Sequence, residues 1–393
     1  MNPTFLVILS TAALLIGLFI AWLLHSAHQM EIAVIPGTQP GVDPLPLISV
    51  IVPARNEARN IRRCLQALLV QDYTRYEVIV VDDRSSDATP QILAELLAGE
   101  AARSTNRLRV LHGKDLTPGW AGKPHALVQG AEAAQGEWLC FIDADTFAAP
   151  HLLSSTLGTA VQQQADLFSM LTEQELGSFW EKTVLPLVFT ALAFGFPAKR
   201  VNDPAKPDAI ANGQFILIRR AVYQAIGTHA AVRERIDEDK AIAETVKRGG
   251  YRLVIADGRQ AASTRMYTRF SEIWEGWTKN IYLGLRDRLG LLTFGATLGL
   301  VAALALPLWL AGGLIWLALG GGWAAGVIAL QAAILWGYLL SLRLQACRAF
   351  RISPLYALTL PLGALVFTAM MFASAWKVLS GQGVTWKGRT YSR

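Results

Sequence analysis

The stretch Trp138-Leu139-Cys140-Phe141-Ile142-Asp143-Ala144-Asp145 joins five apolar residues to an acidic pair and indicates the kind of fold this chain adopts. The apolar run predicts a buried strand, and carboxylates two residues apart on a strand point to one face. Paired anionic oxygens at the exit of a strand suit a hard divalent cation such as Mg²⁺ or Mn²⁺, which in turn holds a diphosphate. Taken alone, Asp-x-Asp is a weak signal, because surface turns also produce it.

Short β-rich runs alternate with helical periodicity between about residues 47 and 256. Strands are predicted at 48–52, 77–81, 108–111 and 138–142. Helices are predicted at 61–69, after Thr89 as the N-cap, and at about 125–134. This alternation predicts an α/β fold, a Rossmann-like, mostly parallel sheet with helices on both faces. Ligands bind at the carboxyl ends of such strands, where both Asp82-Asp83 and the Asp143/Asp145 pair fall. The chain has no Gly-x-Gly-x-x-Gly after its first strand and no Walker loop, which disfavours a dehydrogenase or a P-loop enzyme.

The ends of the chain are apolar enough to predict membrane helices. Residues AVILMFWYC make up 52% of the chain and charged residues 17%. Phe5 to Leu24 is an uncharged run of spanning length, and the absence of Lys or Arg before it disfavours a signal peptide. Two spans with a turn near 320–322 are expected within 289–342, and a third from Pro354 to Trp376. The predicted domains are an anchor (1–28), a hinge at 36–46, a catalytic domain (45–285), a membrane region (289–378) and a basic tail (379–393).

Net charge indicates which partners the chain can have, and cysteine content indicates the state of its thiols. A net charge of +6 fits contact with an anionic membrane surface, and the central region has no basic tract interleaved with aromatics, so no nucleic-acid partner is expected. Arg343, Arg348 and Arg351 are expected in a cytoplasmic loop between the last two spans. The basic residues after the last span also predict a cytoplasmic position, but the two flanks of one crossing cannot both be cytoplasmic. Either the last segment is re-entrant or split, or the positive-inside rule has one exception here. The three cysteines are expected to be free, mostly buried thiols.

Several motifs in a fixed order carry a resemblance to a known family. They are 49–57 (Ser-Val-Ile-Val-Pro-Ala-Arg-Asn-Glu), 81–89 (Val-Asp-Asp-Arg-Ser-Ser-Asp-Ala-Thr), Gly122-Lys123 before a helix, Asp143-Ala144-Asp145, and Asp237-Glu238-Asp239 followed by Gly250-Tyr251-Arg252. Over roughly Ile48 to Tyr282 the chain resembles the membrane-anchored family 2 glycosyltransferases, which have the GT-A fold. Within this family it is similar to enzymes that glycosylate lipids: ceramide glucosyltransferases, hopanoid-associated members and carotenoid glycosyltransferases.

The resemblance implies a role for each motif. Its nucleotide-sugar-binding residues would be Pro53, Arg55, Glu57, Asp82, Asp83, Lys123 and Asp143. Asp145 would bind the metal directly, while Asp143 would contact the ribose or a metal-bound water. Asp239, next to Glu238, would be the catalytic base of an inverting, single in-line displacement.

Each of these residues also has a simpler interpretation. Glu57 would stabilise a helix N-terminus without any ligand. Asp83 would be a turn aspartate, although Ser86 and Asp87 fit that interpretation better. Lys123 would be a solvated surface lysine, and residues 233–240 only the charged start of a helix.

The region after the catalytic motifs departs from the processive members of the family. Residues 260–267 do not reproduce their Gln-x-x-Arg-Trp signature, which argues against a polysaccharide synthase. Trp277 and Lys279 are acceptor-side candidates, and an interfacial aromatic belt explains the tryptophan equally well. Thr183 to Pro197, within a helix near 179–197, is expected to lie at the membrane interface, with a core helix as the alternative.

The sequence therefore predicts a multi-pass cell-membrane enzyme with a cytoplasmic catalytic domain. It would use Mg²⁺ or Mn²⁺ and transfer one hexose, glucose by resemblance, from a UDP-sugar to a lipid; the sugar, the acceptor and the oligomeric state stay open. The alternatives are a processive polysaccharide synthase and a non-catalytic nucleotide-sugar-binding or scaffold protein of a lipid-synthesis complex. A transporter is disfavoured because no span is expected to carry a charge inside the membrane.

Overall fold

The computed structural model describes residues 3–26, 31–102, 107–284, 289–380, 384–386 and 389–391. The chain divides into two compact units. We call them the sheet unit (30–175 and 196–266) and the helical unit (1–29, 176–195 and 267–393). The predicted catalytic domain, 45–285, cuts across this division, because residues 176–195 and 267–285 group with the helical unit.

The described helices are, in chain order, α1 Pro3–Ser26, α2 Ile61–Leu68, α3 Thr89–Ala102, α4 Gly122–Ala133, α5 Leu152–Gln162, α6 Phe179–Gly195, α7 Ala198–Asn202, α8 Arg220–Ala225, α9 Glu238–Arg248, α10 Phe270–Gly284, α11 Leu289–Ala318, α12 Gly322–Ala349 and α13 Leu360–Leu379. Two 3-10 turns accompany them, at His229–Val232 and Pro354–Thr359. The described strands are β1 Ile48–Ala54, β2 Tyr76–Asp82, β3 Leu108–His112, β4 Trp138–Ile142, β5 Thr146–Ala148, β6 Leu167–Leu171, β7 Glu173–Gln174, β8 Phe215–Arg219, β9 Leu253–Asp257, β10 Ala262–Thr264, β11 Val384–Trp386 and β12 Arg389–Tyr391.

The centre of the sheet unit is a seven-stranded sheet with the order β3-β2-β1-β4-β8-β6-β9. Pairing is parallel except on both sides of β8, which runs antiparallel to β4 and to β6. Side chains of β1 alternate between two cores: Val50 packs with Leu65 on one face, and Ile51 packs with Leu127 on the other. The predicted mostly parallel sheet with helices on both faces is confirmed. All three cysteines are free and buried, as expected.

The register of the sheet aligns the ends of its central strands. Ala54, the last residue of β1, lies opposite Asp82 on β2, and Ile51 lies opposite Phe141 on β4. The acidic residues that follow β2 and β4 therefore emerge at one edge of the sheet. A smaller sheet with the order β5-β10-β7 begins directly after the second acidic pair.

Some local details differ from the sequence expectations. Thr89, expected to cap α3, is its first residue, and its hydroxyl accepts from Glu57 N at 2.8 Å. Asp87 instead accepts from Thr89 N at 2.9 Å, so it satisfies a free amide at the helix start. Part of the predicted hinge contacts α5, where Gly37 N donates to Ser155 Oγ at 3.2 Å.

The helical unit contains the expected apolar helices. Within the described part of the chain, three helical segments are long and apolar enough to cross a membrane: Thr293–Ala318, Gly322–Ala349 and Pro354–Lys377. Their number and the turn at 320–322 are as predicted. The uncharged helix α1 packs against α12, where Gln331 Nε2 donates to Thr11 Oγ1 at 2.8 Å. That α1 is a membrane anchor stays a prediction. The predicted basic tail contains an antiparallel strand pair, β11 and β12.

Arg343 occupies a different place from the one expected. It lies within α12 rather than in a loop, and it is only 2% exposed. Its Nη2 donates to the carbonyls of Lys182, at 2.8 Å, and Thr183, at 3.1 Å, both on α6. Because Pro186 has no N–H, the Lys182 carbonyl lacks its helical donor, and the guanidinium takes that donor's place. The predicted loop position is therefore wrong for Arg343 and for Arg348, which also lies on α12. That no span carries a charge inside the membrane stays a prediction.

Candidate active site

Charged side chains from three elements converge at the carboxyl edge of the main sheet. Lys123, in the first turn of α4, lies with its Nζ 2.7 Å from Asp143 Oδ1 and 2.8 Å from Glu238 Oε1. Asp143 follows β4, and Glu238 begins α9. The loops before α4 and α9 are joined by a hydrogen bond from Ala121 N to the Arg233 carbonyl at 2.6 Å. We refer to Lys123, Asp143, Glu238 and Asp239 as the charged cluster.

Asp239 is held in place by two backbone amides. Its Oδ2 accepts from Gly213 N at 3.0 Å and its Oδ1 from Lys240 N at 2.7 Å. It lies in the first turn of α9, where the helix dipole favours negative charge. Each carboxylate oxygen has two lone pairs, so this anchoring leaves capacity to accept a proton.

Three side chains of the cluster, Lys123, Glu238 and Asp239, have shifted pKa values. Burial alone would lower the pKa of Lys123, but Asp143, Glu238 and Asp239 together raise it well above the usual value. Burial raises the pKa of Glu238 to about 7, and Lys123 partly offsets the effect. Burial likewise raises the pKa of Asp239, against the opposing influence of Lys123. The site therefore holds one firmly protonated cation among carboxyl groups with increased proton affinity.

The aspartates after β2 lie beside the end of β1. Asp82 and Asp83 are each 4% exposed. Asp83 N donates to the Ala54 carbonyl at 2.7 Å, and Arg55 Nη1 donates to the Asp83 carbonyl at 2.7 Å. Asp82 Oδ1 accepts from Ser85 N at 3.1 Å, which makes Asp82 the residue that supports the turn.

The loop after β1 is tied to the loop after β2. Asn56, with φ of 54°, donates from its amide to Ser85 Oγ at 2.9 Å and accepts from Ser86 N at 2.8 Å. Pro53 lies on β1, and Glu57 precedes α2, with its carbonyl accepting from Ile61 N at 2.9 Å. The predicted nucleotide-binding residues of β1 and β2 therefore share one cross-linked rim, and the helix-start interpretation of Glu57 also fits its position.

Asp143 and Asp145 form the candidate metal site. Both are half-buried at the exit of β4 and offer hard oxygen donors. Within the described residues, no group of three His, Cys, Asp or Glu side chains is arranged to hold a metal by itself. Mg²⁺ is commonly held by one or two carboxylates together with the phosphates of a substrate, so this small donor set fits a metal that arrives with a diphosphate.

Sequence reasoning missed several polar residues around the cluster. Thr146, Thr172 and Thr264 are buried and linked through their hydroxyls, directly behind the acidic pair. His229 is buried beside Tyr223, whose hydroxyl lies 2.8 Å from His229 Nδ1, and it lines a small cavity together with Lys123. The local sequence gives no signal for these contacts, because the partners come from different elements.

The two acceptor-side candidates lie in the helical unit, on α10. Trp277 is 5% exposed and packs edge-on against Phe189, with ring centroids 5.6 Å apart. Lys279 is 8% exposed. A role in acceptor binding stays a prediction for both.

A mostly parallel sheet with helices on both faces and an acidic pair at its carboxyl edge is the arrangement of the GT-A fold. Residues 49–227 match the sequence profile of Glycosyl transferase family 2. The chain is therefore a glycosyltransferase, and over these residues, which are less than half of it, it is similar to family 2.

Individual proteins resemble most of the chain. It is similar to the 4,4'-diaponeurosporenoate glycosyltransferase of Staphylococcus aureus (strain USA300), 26% identical over 353 residues that cover 88% of each protein. Among solved structures it resembles the mannosyltransferase PcManGT from Pyrobaculum calidifontis, in complex with GDP-Man and Mn²⁺. That likeness has a TM-score of 0.54 at 19% identity and covers 96% of this chain and 99% of the other. At this identity it supports the fold.

Proposed function

We propose that this protein transfers one hexose from a UDP-sugar, with glucose as the first candidate, to a lipid acceptor at the membrane. The observation that carries the proposal is the charged cluster at the carboxyl edge of the sheet, where Lys123 bridges Asp143 and Glu238 beside Asp239. The apolar helices support a membrane-bound acceptor. The similar Staphylococcus aureus enzyme is named for diaponeurosporenoate, a carotenoid lipid, which favours an acceptor of that class.

In this proposal Asp143 and Asp145 would hold the divalent metal, which would stabilise the negative charge on the leaving diphosphate. The charge balance of the site favours such an ion. One lysine faces three carboxyl groups in the cluster, and this acidic excess would repel a diphosphate that arrived without a cation. Lys123, at the N-terminus of α4, would orient the phosphates.

Asp239 would accept the proton of the attacking acceptor hydroxyl as its oxygen bonds to the anomeric carbon and the bond to UDP breaks. Its raised pKa gives it more proton affinity than an exposed aspartate, and its two amide contacts fix its orientation. The rim formed by Arg55, Asp82 and Asp83 would hold the nucleoside. Displacement in one step would invert the configuration at the anomeric carbon.

The test is UDP release by the full-length protein in lipid vesicles, supplied with UDP-glucose, Mn²⁺ or Mg²⁺ and a hydroxylated carotenoid or total lipid extract. The products are resolved by mass. We expect a lipid gaining a single hexose and at least a 10³-fold loss of release for Asp239→Asn, by analogy with the removal of other catalytic groups, where losses of about this size are typical. The exposed Asp72→Asn variant is the matched control.

Other outcomes would contradict parts of the proposal. A polymeric product would reject single transfer, and full activity of Asp239→Asn would reject the base. UDP-sugar binding without turnover on any lipid would favour the scaffold alternative. GDP release from GDP-sugars instead of UDP release from UDP-sugars would correct the donor.

A further inference from the structure

The turn before β8 places a glycine against the charged cluster. Gly213 N donates to Asp239 Oδ2 at 3.0 Å, across 26 residues of chain. A Cβ atom built at position 213 would lie 3.0 Å from Asp239 Oδ2 and 3.0 Å from Lys123 Nζ. Among the described glycines, Gly213 is the one at which an added Cβ would contact both Asp239 and Lys123.

Backbone conformation does not explain the glycine. Gly213 lies outside the left-handed region that favours glycine, so alanine would fit the backbone without torsional strain. The restriction comes from the neighbours. Contacts of 3.0 Å are tighter than nearly all real Cβ contacts, so a methyl group would displace the Asp239 carboxylate and the Lys123 ammonium by a few tenths of an ångström.

The preceding residue fixes the direction of the Gly213 amide. Asn212 N donates to Ser169 Oγ at 2.8 Å, and Asn212 Nδ2 donates to the Met170 carbonyl at 2.9 Å. The Asn212 carbonyl accepts from Phe215 N at 2.9 Å. These bonds fasten the turn to β6 and β8, and the amide of Gly213 is thereby held toward Asp239.

We propose that Gly213 is a positioning residue for the transfer reaction. Its amide orients the Asp239 carboxylate, and its missing side chain preserves the spacing between Asp239 and Lys123. The proposal rests on the proposed function, in which Asp239 is the base. It predicts that a side chain at position 213 affects mainly the chemical step, through Asp239, with a smaller effect on donor binding through Lys123.

The experiment compares kcat, donor KM and Tm of the full-length protein for Gly213→Ala and a matched control, Gly249→Ala. The control has an equally close contact, 3.0 Å to Tyr251, at the opposite end of α9. We expect Gly213→Ala to lower kcat about tenfold with donor KM within about twofold, since small misplacements of catalytic groups reduce rates strongly. Gly249→Ala should keep kcat. Equal losses of kcat in both variants, or none in Gly213→Ala, would overturn the proposal.

A double variant separates positioning from general damage. In an Asp239→Asn background, Gly213→Ala should lower the residual rate by less than about twofold, because residues that act as a unit are not additive. A full tenfold further loss would overturn the proposal. Asn212→Ala loosens the turn without adding atoms. It should lower kcat when Asp239 is present and have little further effect in the Asp239→Asn background. This variant provides the test if Gly213→Ala does not fold. Full activity of Asp239→Asn alone would instead reject the proposed base.

Discussion

Lys123 in the sheet unit and Arg343 in the helical unit are both enclosed cations, but their partners differ. Lys123 is paired with the side-chain carboxylates of Asp143 and Glu238, and 34% of its side chain is exposed. Arg343 donates to the backbone carbonyls of Lys182 and Thr183 and is 2% exposed. The partners of Lys123 are movable side chains, whereas those of Arg343 belong to a helix backbone. The first arrangement suits a site that exchanges partners when a ligand arrives, and the second suits a fixed structural contact.

The largest expected effect is on activity, at Lys123. Lys123→Met removes the cation that Asp143 and Glu238 share and that would orient the phosphates. We expect UDP release to fall about 10³-fold, the scale seen when a preorganised charged group is removed from an active site. The exposed Lys206→Met variant is the control for loss of one positive charge. Activity of Lys123→Met within threefold of wild type would show that Lys123, like Arg343, is structural.

The next effect is on stability, at Arg343. Arg343→Met leaves the Lys182 carbonyl without a donor and removes a second donor from the Thr183 carbonyl, and we expect a loss of about 2–3 kcal/mol in the free energy of unfolding. Pro186→Ala supplies the missing backbone N–H. In the Arg343→Met background it should therefore recover at least half of the loss, measured by denaturation of the full-length protein in detergent. Strictly additive effects of the two substitutions would contradict the proposed repair of the proline break.

The four predicted strands agree well with β1 to β4 because they are continuous apolar runs, whereas β6, β8 and β9 of the main sheet were not predicted. The predicted strand 138–142 matches β4, and the others differ by one or two residues at their ends. The sequence also placed acidic residues at strand ends, since a parallel sheet brings such ends to one edge. Local patterns are enough for features of this kind.

Contacts between distant residues could not be predicted in the same way. Arg343 resembles a loop arginine in the sequence, because the carbonyl orphaned by Pro186 is more than 150 residues away. The hydrogen bond between Gly213 and Asp239 and the pairing of Lys123 with Glu238 also depend on the tertiary fold. The sequence therefore predicted which residues carry charge at the site, while their partners became evident only in the structure.

A smaller effect is expected at His229, which lies near Lys123 and carries no charge in the folded protein. Burial, with a contribution from Lys123, lowers the pKa of His229 to about 3. The unfolded chain binds this proton below about pH 6.5 and the folded chain does not, so stability should fall as the pH drops from 6.5 toward 3. Between pH 6.5 and 5 the loss should be about 1.5 kcal/mol.

The measurement is the free energy of unfolding of wild type and His229→Gln at both pH values. The glutamine variant cannot take up the proton, so its stability should change less over this interval. Equal pH dependence of the two proteins would show that His229 takes up a proton in the folded protein as readily as in the unfolded chain. The positive charge of Lys123 would then not prevent a second positive charge nearby.

The smallest effect tests whether charge or geometry matters at the structural cation. Arg343→Lys keeps the positive charge but replaces a planar fork of donors with a single ammonium on a flexible chain. We expect a loss of about 1 kcal/mol, less than for Arg343→Met, because the ammonium still reaches one of the two carbonyls. A lysine variant as unstable as the methionine variant would mean that the fork geometry accounts for the whole contact. A lysine variant as stable as wild type would mean that either cation satisfies the broken helix, and Arg343 would then differ from Lys123 only in its partners and not in the kind of cation required.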